Sequence, residues 1–251
     1  MNTAHRLHTL GRAAALSAAL ALNTAPVLGN LVSNGGFEST TVSTTTQWFC
    51  PGSCVVNNWT LANDNPSGFN DGQILVHSSW NGVNLIGSVG IAGSIGLASP
   101  DGGNFIFSDA DFHNSSITQT LTGLTPGDTY LLSFYQALVQ DTEPGITTPG
   151  PVSALWQVSF GTGVQTSASM SANGATLTTS PWALQSMSFT ANTATQVLSF
   201  LSVGTGDPPL IALDGVRLEH VPEPASVALV LLAGLAAGAT YRRTRWQRIA
   251  G

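Results

Sequence analysis

Apolar and polar residues alternate with a period of two through much of this chain, in runs separated by turn residues. In 117–121, Ile-Thr-Gln-Thr-Leu, the apolar side chains fall on one side of an extended backbone, and Gly-Leu-Thr-Pro-Gly-Asp then turns the chain. The run 130–137 follows. In 154–160, Trp156, Val158 and Phe160 share a face while Gln157 and Ser159 take the other. Met187 with Phe189 and Leu198 with Phe200 repeat the arrangement in 184–189 and 197–203. This period marks strands with one buried face. Shorter candidates are 59–61, 74–77 and 105–107. The last run, 211–219, changes parity midway: Ile211 and Leu213 fall on one side, Val216 and Leu218 on the other. A bulge at Asp214-Gly215 would return both pairs to one face. Helical periodicity is absent between residues 30 and 218, and no repeat of about 20–50 residues recurs. About nine or ten short strands therefore predict a mainly β fold, a jelly-roll β-sandwich spanning 30–218.

The two ends break the pattern. Residues 1–29 hold Arg6 and Arg12, then an apolar run at 13–22, then small residues. That is the layout of a secretory signal peptide with cleavage after Gly29. Its apolar run, about ten residues, is too short to span a bilayer core of about 30 Å. Residues 225–241 form a second apolar stretch without charge. At about 17 residues and 1.5 Å per residue it covers roughly 25 Å, the lower limit for a transmembrane helix. Pro222 and Pro224 stop a helix from propagating upstream. Arg242, Arg243, Arg245 and Arg248 follow the stretch, which predicts a cytoplasmic tail at 242–251 and a body outside the cell membrane.

Val-Pro-Glu-Pro-Ala-Ser at 221–226, a short span and an Arg-rich tail, in that order, resemble the PEP-CTERM sorting signal of Gram-negative bacteria. The resemblance implies a linker at 219–224 whose motif Pro222, Glu223 and Pro224 is recognised by an exosortase, a membrane-embedded cysteine transpeptidase or protease. The chain would leave through the Sec route and be held in the inner membrane with its body in the periplasm. It would then be cut near the motif and released, or attached at the cell surface.

Charge separates the body from its ends. Only 8% of residues are charged, against roughly a quarter in an ordinary soluble protein, and lysine is absent. Between residues 30 and 221 a single arginine, Arg217, faces twelve acidic residues, a formal charge of −11. Such a body repels phosphate backbones, so nucleic acid is excluded as a partner. Divalent cations and neutral sugars suit it better.

Several groups could carry chemistry. Cys50 and Cys54 are the only cysteines. In an oxidising compartment they predict a local disulfide; a zinc site or a redox pair are the other readings of the spacing. Asp109, Asp111 and His113 stand at alternate positions after the 105–107 strand. On an extended chain they point the same way and could bind a metal or act as acid and base. The alternative is a polar loop with Asx turns. Residues 101–104, Asp-Gly-Gly-Asn, read as a hairpin or tight turn. Trp48, Trp59, Trp80, Trp156 and Trp182 are candidates for stacking on sugar rings, with core packing as the alternative for each. The alternation assigns Trp156 to the core and leaves Trp80 as the better candidate for exposure.

Asn-Leu-Val-Ser-Asn-Gly-Gly-Phe-Glu-Ser at 30–39 and Ile-Ala-Leu-Asp-Gly-Val-Arg-Leu-Glu at 211–219 together resemble the terminal strands of galactose-binding-like jelly rolls. These include carbohydrate-binding modules and the choice-of-anchor exported proteins, whose pattern residues 99–137 also resemble. In members with a structural calcium ion, an acid after the Asn-Gly-Phe start and an aspartate on the last strand help to bind it. The matching positions are Glu38 and Asp214, with backbone carbonyls supplying most of the shell; two unconnected acids on neighbouring edge strands is the other reading.

The resulting expectation is a non-catalytic envelope or extracellular-matrix protein binding polysaccharide, processed by an exosortase. A purely structural surface or biofilm component is the first alternative. The second is a metal-dependent hydrolase of extracellular glycans built on Asp109, Asp111 and His113.

Overall fold

The computed structural model describes residues 29–41, 48–50, 55–62, 73–76, 90–91, 99–111, 116–142, 150–172, 180–206, 209–222 and 234. Strands follow one another as β1 (Trp48–Cys50), β2 (Thr60–Leu61), β3 (Gln73–Val76), β4 (Gly90–Ile91), β5 (Phe105–Asp109), β6 (Ser116–Thr122) and β7 (Thr129–Thr142). They continue as β8 (Val152–Phe160), β9 (Gly163–Thr166), β10 (Met170–Ala172), β11 (Ala183–Thr190), β12 (Thr195–Thr205) and β13 (Pro209–His220). Each run of period-two alternation is a strand. Four short ones, β1, β4, β9 and β10, carry no alternation long enough to announce them. The expected signal segment through residue 28 and the expected span at 225–241 lie outside the described residues, Gly234 apart, which is helical. Among the described residues, no helix is long and apolar enough to cross a membrane.

Two antiparallel sheets form a jelly-roll β-sandwich. One has the order β1-β3-β5-β13-β7-β11 with β4 added on β7, the other β10-β8-β12-β6-β2 with β9 added on β8. Alternate residues of β6, β8 and β12 are buried between the sheets, as the period predicts. Trp156 is fully buried there; its indole N–H donates to the Ala212 carbonyl of the facing sheet at 3.1 Å, and its ring meets Phe200 edge-on at 6.0 Å. Phe134 packs edge-on against Phe200 at 5.1 Å. Aromatic pairs of this geometry add to the area they bury.

The bulge predicted on the last strand is present. The β13–β7 register shifts between Asp214 and Arg217, and Gly215 takes φ 59°, a left-handed conformation that suits glycine. Ile211, Leu213, Val216 and Leu218 are all fully buried as a result. Beside β13 runs the start of the body. Leu31 N–H donates to Leu218 O at 3.0 Å, Asn30 bonds Val216 O and Leu218 N–H, and Val216 N–H donates to Gly35 O at 3.0 Å. Both ends of the body therefore meet along one strand.

Candidate functional site

The stretch 34–37, Asn-Gly-Gly-Phe, folds as a tight turn. Asn34 and Phe37 take φ 54° and 57°, and Phe37 N–H donates to Asn34 O at 3.1 Å. Gly35 then lies against β13 so closely that a Cβ there would stand 2.0 Å from the Val216 carbonyl oxygen. A second turn approaches from the other side. Gly102 N–H donates to Ser99 O at 2.9 Å, and Gly102 and Gly103 take φ 80° and 77°, the tight turn expected at 101–104. These two turns and the β13 bulge bring Glu38, Asp101 and Asp214 to one place.

Gly36 forms its floor. A Cβ on Gly36 would lie 3.0 Å from Asp101 Oδ2 and 3.8 Å from Asp214 Oδ1. Glu38 turns toward Gly103, where its Oε1 accepts the Asn104 N–H at 2.5 Å, while the Asn104 side chain donates to Phe37 O at 3.2 Å. Arg217 donates to Asp101 Oδ1 at 2.8 Å from a half-exposed position, and that contact raises the Arg217 pKa.

Asp214 is the centre of this arrangement. It is fully buried; one carboxylate oxygen accepts the Ser99 hydroxyl, and Oδ1 makes no hydrogen bond of normal geometry. Burial pushes its pKa up to about 8, and the charges of Asp101 and Glu38 push the same way, against the Ser99 hydroxyl and the Gly215 N–H. A carboxylate this deep needs a proton or a cation to stay in place. Among the described residues, no three His, Cys, Asp or Glu side chains are grouped so as to hold a metal ion by themselves, and backbone carbonyls would have to supply most of a cation's shell. The donors that do converge are oxygens alone, with Asp101 Oδ2 and Asp214 Oδ1 flanking a space kept open by a glycine. That donor chemistry fits a hard cation such as calcium and not zinc.

Asp101 and Ser99 are the members that sequence reasoning missed. Residue 101 was legible as a turn residue, and nothing in its local pattern says that the turn folds over Gly36. Glu38 and Asp214, matched through the resemblance, both approach Gly36, Asp214 by its Oδ1 and Glu38 by its Cγ, while the Glu38 carboxylate turns toward Gly103.

The second candidate group is arranged differently. Asp109 ends β5 with only 8% of its surface exposed, and its Oδ1 accepts the Asp111 N–H at 3.0 Å. That is an Asx turn, so the extended alternation stops at Asp109; His113 lies outside the described residues. Cys54 and Trp80 also lie outside them, as do Glu223, Pro224, Arg242, Arg243, Arg245 and Arg248. Cys50 is described only as backbone at the end of β1, and so is Trp48 at its start. Trp59 and Trp156 are buried, and Trp182 is half-buried with its ring edge-on to Phe105 at 5.4 Å. Neither Trp59, at 6% exposed, nor Trp156, at 0%, presents an open face for stacking.

The outer face of the six-stranded sheet is distinctive in another way. The residues of β6, β8 and β12 that point away from the core include Thr118, Thr120, Gln157, Val197, Ser199 and Val203, and every such residue is uncharged. Arg217, Glu219 and the acidic cluster all belong to the other sheet or its turns.

No family model matches the chain, and no curated protein matches it. Solved structures similar to it include TmCBM61 in complex with beta-1,4-galactotriose, at 14% identity and TM-score 0.40, covering 76% of this chain and 99% of that one. The K2 cleaved adhesin domain of Lys-gingipain is similar at 16% identity and TM-score 0.38, over 75% of this chain and 97% of the other. The CBM22-1 xylan-binding domain from Paenibacillus barcinonensis is similar at 10% identity and TM-score 0.37, covering 78% of this chain and 97% of that domain.

Proposed function

We propose that this chain is an exported envelope or extracellular-matrix protein whose non-catalytic β-sandwich binds a neutral polysaccharide. The observation that carries the reading is the outer face of the six-stranded sheet, uncharged and rich in hydroxyl groups in a body of formal charge −11. Hydroxyl and amide groups both donate and accept hydrogen bonds, which matches the hydroxyl rows of a sugar chain. Asp109 accepts the Asp111 N–H through its Oδ1, an Asx turn that supports a structural reading of this acid. Retention of the full-length protein on arrays of neutral glycans is the test. An array on which nothing is retained overturns sugar binding and leaves the structural surface role.

A calcium ion at Asp214, Asp101 and Glu38 belongs to the same reading. It would supply positive charge to three acids on separate chain segments. Asp214 and Asp101 would contribute the oxygens beside Gly36, and Glu38 would close the side toward Gly103. The role is a brace between the start of the body, the 99–104 turn and β13. Delivery follows from the ends of the chain: Sec export, transient or permanent tethering by 225–241 in the inner membrane, and exosortase cleavage near Pro222-Glu223-Pro224 before display outside.

A further inference from the structure

A hollow of about 410 Å³ opens at the edge of the uncharged sheet face, between the 55–60 segment and β6. Hydrogen bonds and ring contacts tie its lining together. Trp59 forms the floor with 6% of its surface exposed; its indole N–H donates to Asn34 O at 2.9 Å, and its ring leans on Phe37 at 5.4 Å. The rim is a turn closed by the Trp59 N–H on Val56 O at 3.1 Å. Asn57 is fixed from both sides, its side chain donating to Ser39 Oγ and its carbonyl accepting the Asn34 amide, each at 2.8 Å. Asn58 is thereby held at φ 70° and exposed. Across the hollow, the β2–β6 pairing sets Thr60 opposite Thr118, with Thr120 two positions further along the same face.

The chemistry of the lining is narrow. The Asn58 amide and the hydroxyls of Thr60, Thr118 and Thr120 make no hydrogen bond among the described residues. Val55, 54% exposed, gives the hollow one apolar wall. Not one charged residue lines it. An anionic ligand would find no counter-charge and would approach against the field of an acidic body. A cation has the acids around Gly36 instead. What remains is an uncharged ligand that presents several hydroxyls on one edge and C–H groups on a face. The volume lies at the small end of the roughly 300–1,000 Å³ usual for ligand sites. Through Thr118 and Thr120 the hollow is continuous with Ser199 and Val197, their partners on β12.

We propose that this hollow is the anchoring subsite for one neutral sugar unit, held by hydrogen bonds from Asn58, Thr60, Thr118 and Thr120 and packed on Val55 without aromatic stacking. The proposal rests on the reading of the sheet face as a glycan-binding surface. It is tested with the full chain on an array carrying neutral gluco-, manno- and galacto-oligosaccharides beside uronate-containing ones. Two variants are compared with the parent: Asn58→Gly, which keeps the left-handed backbone but removes the amide, and Thr118→Val with Thr120→Val, which keeps the strand and removes two hydroxyls. The expected result is retention of a neutral glycan by the parent and a loss of at least about tenfold in affinity in each variant, with unchanged far-ultraviolet circular dichroism. Retention by the parent that neither variant weakens overturns the subsite and leaves the sheet-face reading standing. No retention of any glycan by the parent overturns both. Equal retention of uronate-containing chains overturns the neutral ligand class.

Discussion

Asp214 and Ser99 share a buried hydrogen bond that occupies one oxygen of the Asp214 carboxyl group and leaves the other without a partner of normal geometry. A group so placed makes the stability of the body depend on what neutralises it. Added calcium is expected to raise the melting temperature of metal-free protein, and Asp214→Asn is expected to abolish the rise. Ligand at 100 times its dissociation constant stabilises by about 2.7 kcal/mol, a shift that thermal scans resolve easily. Parent and variant responding alike to calcium would count against the site.

The same carboxyl group predicts a dependence on pH. The folded-state pKa of Asp214, about 8, is raised above its ordinary value of 3.8, so folding favours the protonated form. Its contribution is fully present below pH of about 4 and is lost as pH rises through about 8, at up to about 1.4 kcal/mol per pH unit. Denaturant unfolding in chelator should therefore show stability falling over this window. Asp214→Asn, which carries no charge at any pH, should flatten the curve.

Gly35 should tolerate no side chain. A Cβ there would lie 2.0 Å from the Val216 carbonyl oxygen, a backbone atom that cannot swing away. Gly35→Ala is expected to destabilise the body by roughly 1–3 kcal/mol through overpacking. Gly123→Ala is the instructive comparison, because a Cβ at Gly123 meets nothing within 4 Å and only its φ of 78° is against it. Urea midpoints for the two variants separate steric contact from backbone strain.

Trp156→Ala removes the largest fully buried side chain among the described residues and takes the indole donor away from the Ala212 carbonyl. A loss of about 3–5 kcal/mol is expected, measured by chemical denaturation. A loss below about 1 kcal/mol would mean that the two sheets do not depend on this contact.

Residues 221–251 fused to an exported reporter, in a host that has an exosortase, are expected to yield a reporter shortened near Pro222-Glu223-Pro224. A reporter found full-length and permanently in the inner membrane would leave only an anchor.

Much of the sandwich was legible because alternation is a local property. Trp156, Val158 and Phe160 announce a buried face from five consecutive residues, and the parity change after Leu213 announces the bulge. The strands left unread, β1, β4, β9 and β10, have only two to four residues, and β2 and β3, equally short, were legible from the apolar residues in and beside them. The acidic cluster was half legible. Glu38 and Asp214 were matched through the terminal motifs, whereas Asp101 joins them only because two glycines at positive φ fold its turn over Gly36. The hollow beside Trp59 was not legible at all. Thr60, Thr118 and Thr120 become neighbours through β2–β6 pairing across more than fifty residues of chain, and no local pattern encodes that register.

The strand that leads into the tail also has mechanical significance. β13 is hydrogen-bonded to β7 along its length, with β5 on its other side at the start and residues 30–35 on that side at the end. A pull on the chain beyond residue 221 therefore loads an interior strand along its axis instead of peeling an edge. A load applied there would have to break two ladders together before the body came loose.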